Sequence, residues 1–166
     1  IVGYYTGTEL NLLPSQVVGF GDFAAEYPDG MVLSRSTGAS RNYGENPYVG
    51  YDSSSSPYLF ESEVDPRLPA TEHVLAGIVG SEAVAYSFSV LSEQRVINDL
   101  VDGVAVAAFW QDGMVSALDS TLIDEARNIG TAALYRRELN GQTLAFNAAS
   151  DGVIRDDQTS STWNVF

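Results

Sequence analysis

The chain has 166 residues, no cysteine, and 22 acidic residues against eight basic ones, for a formal net charge of −14. That length fits one domain able to bury a core without staples. The lack of cysteine excludes disulfides, thiol nucleophiles and thiolate metal sites. The charge excludes nucleic acid and anionic membrane surfaces as natural partners, because both need neutralisation by cationic side chains.

All eight basic residues are arginine. The plain reading of such a surface is solubility through self-repulsion. The sharper reading is a high-salt setting, where the repulsion is screened to a Debye length of about 3 Å at 1 M salt. A cation-binding surface is the third reading. No run approaches the ~18 apolar residues of a membrane-spanning helix. No stretch reads as a signal peptide, and the chain opens on Ile1, so it is expected to be a piece of something longer.

Residues 1–33 read as a strand and helix segment. Tyr4 and Tyr5 favour a short strand at the start, followed by a Thr-Gly turn and an extended piece. A strand opening the chain leaves an edge for another strand to pair with. Phe20, Phe23, Ala24 and Tyr27 recur at helical spacing and predict one short helix near 22–26. Pro28-Asp29-Gly30 forms a turn, and Met31-Val32-Leu33 reads as a brief buried strand.

Residues 34–72 are rich in Gly, Pro, Ser and Asn, yet carry Tyr43, Tyr48, Tyr51, Tyr58, Leu59 and Phe60. Disordered segments are poor in aromatics. The stretch is therefore expected to be a long ordered loop that wraps the core and inserts its tyrosines. Loops of this length are commonly functional. Arg41, Tyr43, Asn46, Tyr48 and Asp52 are the candidate ligand-facing set, with Arg35 beside them; loop scaffolding is the competing reading.

Residues 73–166 read as the β core. Apolar runs at 74–79, 83–90, 95–101, 104–110, 114–118, 132–139, 143–148, 152–155 and 161–166 alternate with turn tokens. Asp102-Gly103, Asp112-Gly113 and Asn140-Gly141 are hairpin signals. Residues 121–127 suggest a helical turn. The expected fold is mainly β, an antiparallel β-sandwich or partly open barrel with long irregular loops and one short helix. The polar Asn98-Asp99 and 116–119 stretches, set among apolar strands, need internal hydrogen bonds and are expected to fix strand register.

Chemistry-bearing patterns are sparse. His73 is the sole histidine, no Gly-x-Ser-x-Gly elbow occurs, and a zinc or copper site would need more ligands than one histidine provides. Glu61, Glu63 and Asp65 alternate along one face, and Asp151, Asp156 and Asp157 cluster around a glycine. The aspartate cluster is the candidate oxygen site for a hard cation such as calcium. It lacks the spacing of a calcium loop, and a solvated acidic face is the alternative. No other cofactor is expected.

Several runs carry a resemblance: LSRSTGASRNYGENPYVGYD at 33–52, RLP at 67–69, AVAYSFSVL at 83–91, RVIND at 95–99, SALD at 116–119 and TSSTWN at 159–164. Together they resemble the family catalogued as domain of unknown function 3179, over nearly the whole chain. The resemblance implies an exported bacterial or archaeal protein, halophiles included, and supplies no reaction. The family pattern has two related halves, and this chain resembles the second. In the first half a Cys-Pro-Leu-Cys type stretch follows the central strand; here the place is held by Trp110 to Gly113, without cysteine.

The leading expectation is a non-enzymatic extracellular or cell-surface domain that is structural or interaction-forming. It assembles through its ends, Ile1, Val2, Tyr4, Tyr5, Trp163, Val165 and Phe166, into a homo-oligomer or filament, or pairs with the other half of a longer chain. The alternatives are a hydrolase or carbohydrate-active enzyme using acidic residues beside the long loop, and a cation- or small-ligand-binding module.

Overall fold

The computed structural model describes residues 3–10, 13, 15–149 and 152–166. The Ile1, Val2 and Asp151 expectations lie outside the described residues. The chain is mainly β; among the described residues all strand pairing is antiparallel and no barrel closes.

The organising element is β4 (Val104–Gln111), paired on one side with β3 (Val96–Val101) and on the other with β5 (Thr131–Arg136). Five consecutive residues of β4, from Val106 to Trp110, are buried. Side chains of a strand alternate between faces, so both faces of this sheet are covered. On one face Ala107 and Phe109 pack with Leu144, Phe146, Ile154 and Val165. On the other, Ala108 and Trp110 pack with Tyr86, Leu91 and Ala132, while Val106 meets Val79 and Val101.

The second face is covered by a hairpin, β1 (Val74–Val79) with β2 (Glu82–Ser87), and by the helix α2 (Phe88–Gln94). The first face is covered by β8 (Phe146–Ala148), β9 (Ile154–Asp156) and β10 (Thr162–Trp163), in the order β10-β9-β8. A small hairpin of β6 (Glu138–Leu139) and β7 (Gln142–Thr143) links β5 to β8. The result is sheet packed on sheet in a sandwich-like stack.

The predicted hairpins at Asp102-Gly103 and Asn140-Gly141 form. All four turn residues have positive φ, at 48°, 74°, 52° and 77°, as the primed turns that suit twisted strands require. Asp102 also joins two turns. Its Oδ2 accepts the Ser81 N–H at 2.8 Å and the Ser81 hydroxyl at 2.9 Å. Those bonds hold its carboxyl below the usual carboxylate range, the backbone one most.

Asn98 and Asp99 pin β3 to both neighbouring layers. The Asn98 side chain donates to the Phe146 carbonyl at 2.7 Å and accepts the Phe146 N–H at 2.9 Å, standing in for a strand residue beside β8. One residue on, Asp99 accepts the Tyr86 hydroxyl at 2.9 Å from the opposite layer. Burial, then this bond, raise Tyr86 to about 12.

Four local expectations are corrected. Residues 88–90 continue into α2 rather than β2, because Leu91 is fully buried at helical spacing from Phe88 and Arg95 (φ 65°) ends the turn. Residues 31–33 form no strand and are exposed. Residues 114–118 contribute one bridge, Val115 to Asn128, because Ser116 is turned into a polar lock described below. The Tyr4-Tyr5 stretch is a series of turns rather than a strand, and its two rings pack edge to face at 5.0 Å. The predicted short helix is present as α1 (Phe20–Glu26), and α2 makes a second.

Gly130 lies against the Trp110 ring. It has φ +72°, and a Cβ there would sit 2.2 Å from Trp110 Cζ2, whereas at Gly141 (φ +77°) nothing lies within 4 Å. Both Ala substitutions carry a left-handed backbone cost of about 1–2 kcal/mol. Gly130→Ala adds overpacking worth about 1–3 kcal/mol. Denaturant unfolding should therefore show Gly130→Ala clearly less stable than Gly141→Ala; equal losses would contradict this packing.

Candidate functional site

The long loop is held to the core by residues 116–127. Glu45 bridges Leu122, Asn46 N–H reaches the Thr121 carbonyl at 2.9 Å, and Gly50 N–H reaches the Asp119 carbonyl at 3.0 Å. The Asn46 side chain is buried. It donates to the Ser120 carbonyl at 3.1 Å and accepts the Tyr48 N–H at 2.7 Å.

A 3-10 turn at Tyr51–Ser53 then drives Asp52 inward. Its side chain is 2% exposed, and Arg127 Nη2 meets Oδ2 at 2.9 Å. The same oxygen accepts a hydrogen bond from the buried Ser116 hydroxyl. Arg127 also reaches Asp119, through Nη1 at 3.2 Å and its backbone N–H at 2.8 Å. Thr71 Oγ1 donates to the Asp52 carbonyl at 2.9 Å. Asp52 Oδ1 is sealed from solvent without a hydrogen-bond partner among the described residues. A carboxylate so placed depends on its guanidinium partner. Ser116 is 1% exposed, so its hydroxyl is no accessible nucleophile. The cluster is a lock between loop and core.

The other loop candidates stay at the surface. Tyr48 stacks on Tyr58 at 6.1 Å, and Tyr51 meets Tyr58 edge to face at 5.0 Å. The Tyr58 hydroxyl is pushed up by desolvation, with Tyr48 and Tyr51 adding. Tyr43 shares a 2.7 Å hydrogen bond with Thr37 Oγ1. Arg41 is exposed and makes no ion pair among the described residues. Thus the tyrosines pack on one another rather than into the core, and Asn46 and Asp52 take the buried positions. Glu61 and Glu63 are exposed, while Asp65 pairs with Arg67 at 2.6 Å and is held at about 2 chiefly by the Arg67 hydrogen bonds. Arg41, Tyr48, Asp52 and this acidic run share no common hydrogen bond or ion pair.

His73 lies beside Phe88, ring centroids 6.0 Å apart, and its carbonyl accepts the Phe88 N–H at 2.8 Å. Asp156 is 1% exposed and fully engaged by its own turn. It accepts the Trp163 indole N–H at 3.0 Å, Thr159 N–H at 2.5 Å and Ser161 N–H at 3.1 Å. The Trp163 bond holds its carboxyl at about 2 against the upward push of burial, and Thr159 and Ser161 add to it. Asp157 instead accepts Asn147 Nδ2 at 2.5 Å. Among the described residues no three His, Cys, Asp or Glu side chains gather as a metal site would require.

The proposed end residues divide. Val165 is fully buried, and Trp163 and Phe166 pack on the same cluster. Tyr4 and Tyr5 are exposed. A family model matches residues 1–166. The chain belongs to the family described as protein of unknown function DUF3179. No curated protein and no solved structure matches it. In this DUF3179 chain, the NYGENPYVGYD run at 42–52 contains the two loop residues, Asn46 and Asp52, that lock the loop to the core. Ser116 and Asp119 of the SALD run supply the facing half. Sequence reading singled out Asp52 as a ligand contact and missed Arg127. The only available signal was a lone arginine after three acids at 119–125.

Arg127→Met leaves Asp52 buried with only Ser116, and because Arg127 is itself half-exposed the loss should be about 2 kcal/mol, below that of a fully buried pair; a neutral effect in denaturant unfolding would contradict the lock. Asp156 has a folded pKa below its ordinary 3.8, so its contribution is complete above that value and is lost as pH falls towards about 2. Asp156→Asn should lower stability at pH 6 and flatten the decline between pH 4 and 2; an unchanged acid limb would contradict the assignment.

Proposed function

We propose that this chain is a non-enzymatic interaction domain, working outside the cell, whose N-terminal arm, the described residues up to 33, lies against another copy of the same β core. The observation that carries the reading is surface. A compact monomer of this mass exposes about 8,000 Å², whereas this 17.8 kDa chain exposes 11913 Å². The excess far exceeds the ~800 Å² per partner of a standard interface.

The N-terminal arm contributes to it. Tyr4 is 95% exposed, Met31 94% and Leu33 88%, and Leu10, Leu13, Val17 and Phe20 are exposed as well. The arm touches the core at a few points. Thr131 Oγ1 donates to the Val17 carbonyl at 2.7 Å, and the Gln16 amide reaches Thr131 Oγ1 at 3.3 Å. The helix α1 buries no residue. Apolar side chains exposed in such number along one segment support an interaction role.

A second contact is available at β10, an edge strand paired only with β9. The arm and the open edge are unlike surfaces. Joined head to tail they extend an assembly rather than close it, which supports a filament or surface-layer role.

The charge supplies a discriminating test. Each copy carries −14, so approach of two copies is opposed by repulsion reaching about 10 Å at 0.1 M salt and about 3 Å at 1 M. Burial of apolar area does not share that dependence. Light scattering at 0.1 M and 2 M salt should show association strengthening with salt, and Met31→Asp with Leu33→Asp should abolish it. A monomer at every salt concentration, or association that weakens with salt, would overturn the proposal.

A further inference from the structure

A cavity of about 520 Å³ opens where the end of β5 meets the C-terminal segment, lined by Phe109, Tyr135, Phe146, Trp163 and Phe166, with the exposed Arg136 and the half-buried Arg137 as its two cations. This volume lies within the range of small-molecule sites, which are mostly apolar with a few placed polar groups. The rings are braced. Phe146 meets Phe109 at 5.0 Å and Trp163 at 5.4 Å, both edge to face. Trp163 is further fixed by its indole bond to Asp156, and the Tyr135 hydroxyl donates to the Val165 carbonyl at 3.0 Å.

Arg137 is the unusual member. In a chain with 22 acidic residues, no carboxylate among the described residues lies within ion-pair distance of its guanidinium. Nη1 donates to the Leu144 carbonyl at 2.9 Å and approaches Asn98 Oδ1 at 3.5 Å, and Nη2 reaches the Asp99 carbonyl at 3.3 Å. Nε is buried and has no acceptor. A guanidinium offers five donors and a permanent charge. Here the donors meet neutral oxygens, mostly at long range, and the charge is not balanced. The one carboxylate in the lining, Glu138, makes no ion pair with it.

We propose that this cavity is a binding site for a small organic anion with a flat apolar body, such as an aromatic carboxylate. The rings take the body in edge and face contacts, and Arg137 takes the anionic group. No lining residue belongs to the N-terminal arm, but Thr162 and Trp163 belong to β10, so the cavity adjoins the edge invoked above, and binding is measured in dilute low-salt solution where the chain is monomeric.

The test is calorimetric titration of the chain with 2-naphthoate and with its neutral analogue 2-naphthylmethanol, repeated on Arg137→Gln and on Trp163→Phe. Naphthoate should bind saturably, about tenfold or more tighter than the alcohol, as expected of a charge-assisted hydrogen bond. Arg137→Gln should remove that preference while leaving weak binding of both, and Trp163→Phe should weaken both alike. Arg137 also ties Leu144 and Asn98, so if Arg137→Gln fails to fold, the naphthoate-to-alcohol ratio on the unaltered chain decides alone. Equal binding of the two compounds, or no binding of naphthoate at millimolar concentration, would overturn the proposal.

Discussion

Five buried residues in a row, Val106 to Trp110, oblige β4 to be covered on both faces. That requirement sets the order of everything after residue 74. One strand cannot supply two covers, so the chain builds a hairpin and helix before β4 and a three-stranded sheet after it. Covers alone would slide, because apolar contact is not directional. Asn98 and Asp99, adjacent on β3 and facing opposite ways, bond one to each cover. Register is therefore fixed by two polar side chains on the neighbour of the most apolar strand.

The long loop follows a different logic. It makes no sheet of its own and buries few apolar side chains, so its order rests on polar pairing with residues 116–127. Asp52 and Arg127 are central because one is sealed and the other reaches it from a half-exposed position. This explains a use of arginine suited to an acidic chain: Arg67, Arg95 and Arg127 each hold an aspartate, and Arg95 also stacks 4.4 Å over Trp110. Planar guanidinium groups serve such bidentate and stacked roles where lysine would not. Arg137, half-buried, instead meets backbone carbonyls, and no carboxylate among the described residues lies within ion-pair distance.

Much of the β core was legible in the sequence because turns have local chemistry. Asp102-Gly103 and Asn140-Gly141 announce positive φ, and the runs flanking them alternate or stay apolar as strands do. The failures share a cause. Met31-Val32-Leu33 and residues 114–118 are apolar enough for strands, yet pairing partners decide strands and sequence shows none. At 88–90 a period of two in Phe88 and Val90 competed with a spacing of three between Phe88 and Leu91, and burial of Leu91 chose the helix. In the loop, tyrosines are the apolar choice for burial, but Asn46 and Asp52 went inside because residues 116–127 offered donors and acceptors that match them. Such pairing across more than sixty positions leaves no local trace.

The chain divides into a β core covered on both faces and an arm whose helix buries no residue. Native-state hydrogen exchange reads both at once. In dilute low-salt solution the amides of β4 should exchange slowly and those of the described residues up to 33 rapidly. At high salt and high concentration the arm should gain protection while β4 is unchanged. An arm already protected in the isolated chain, or one that stays unprotected when the chain associates, would contradict the division on which the proposed role rests.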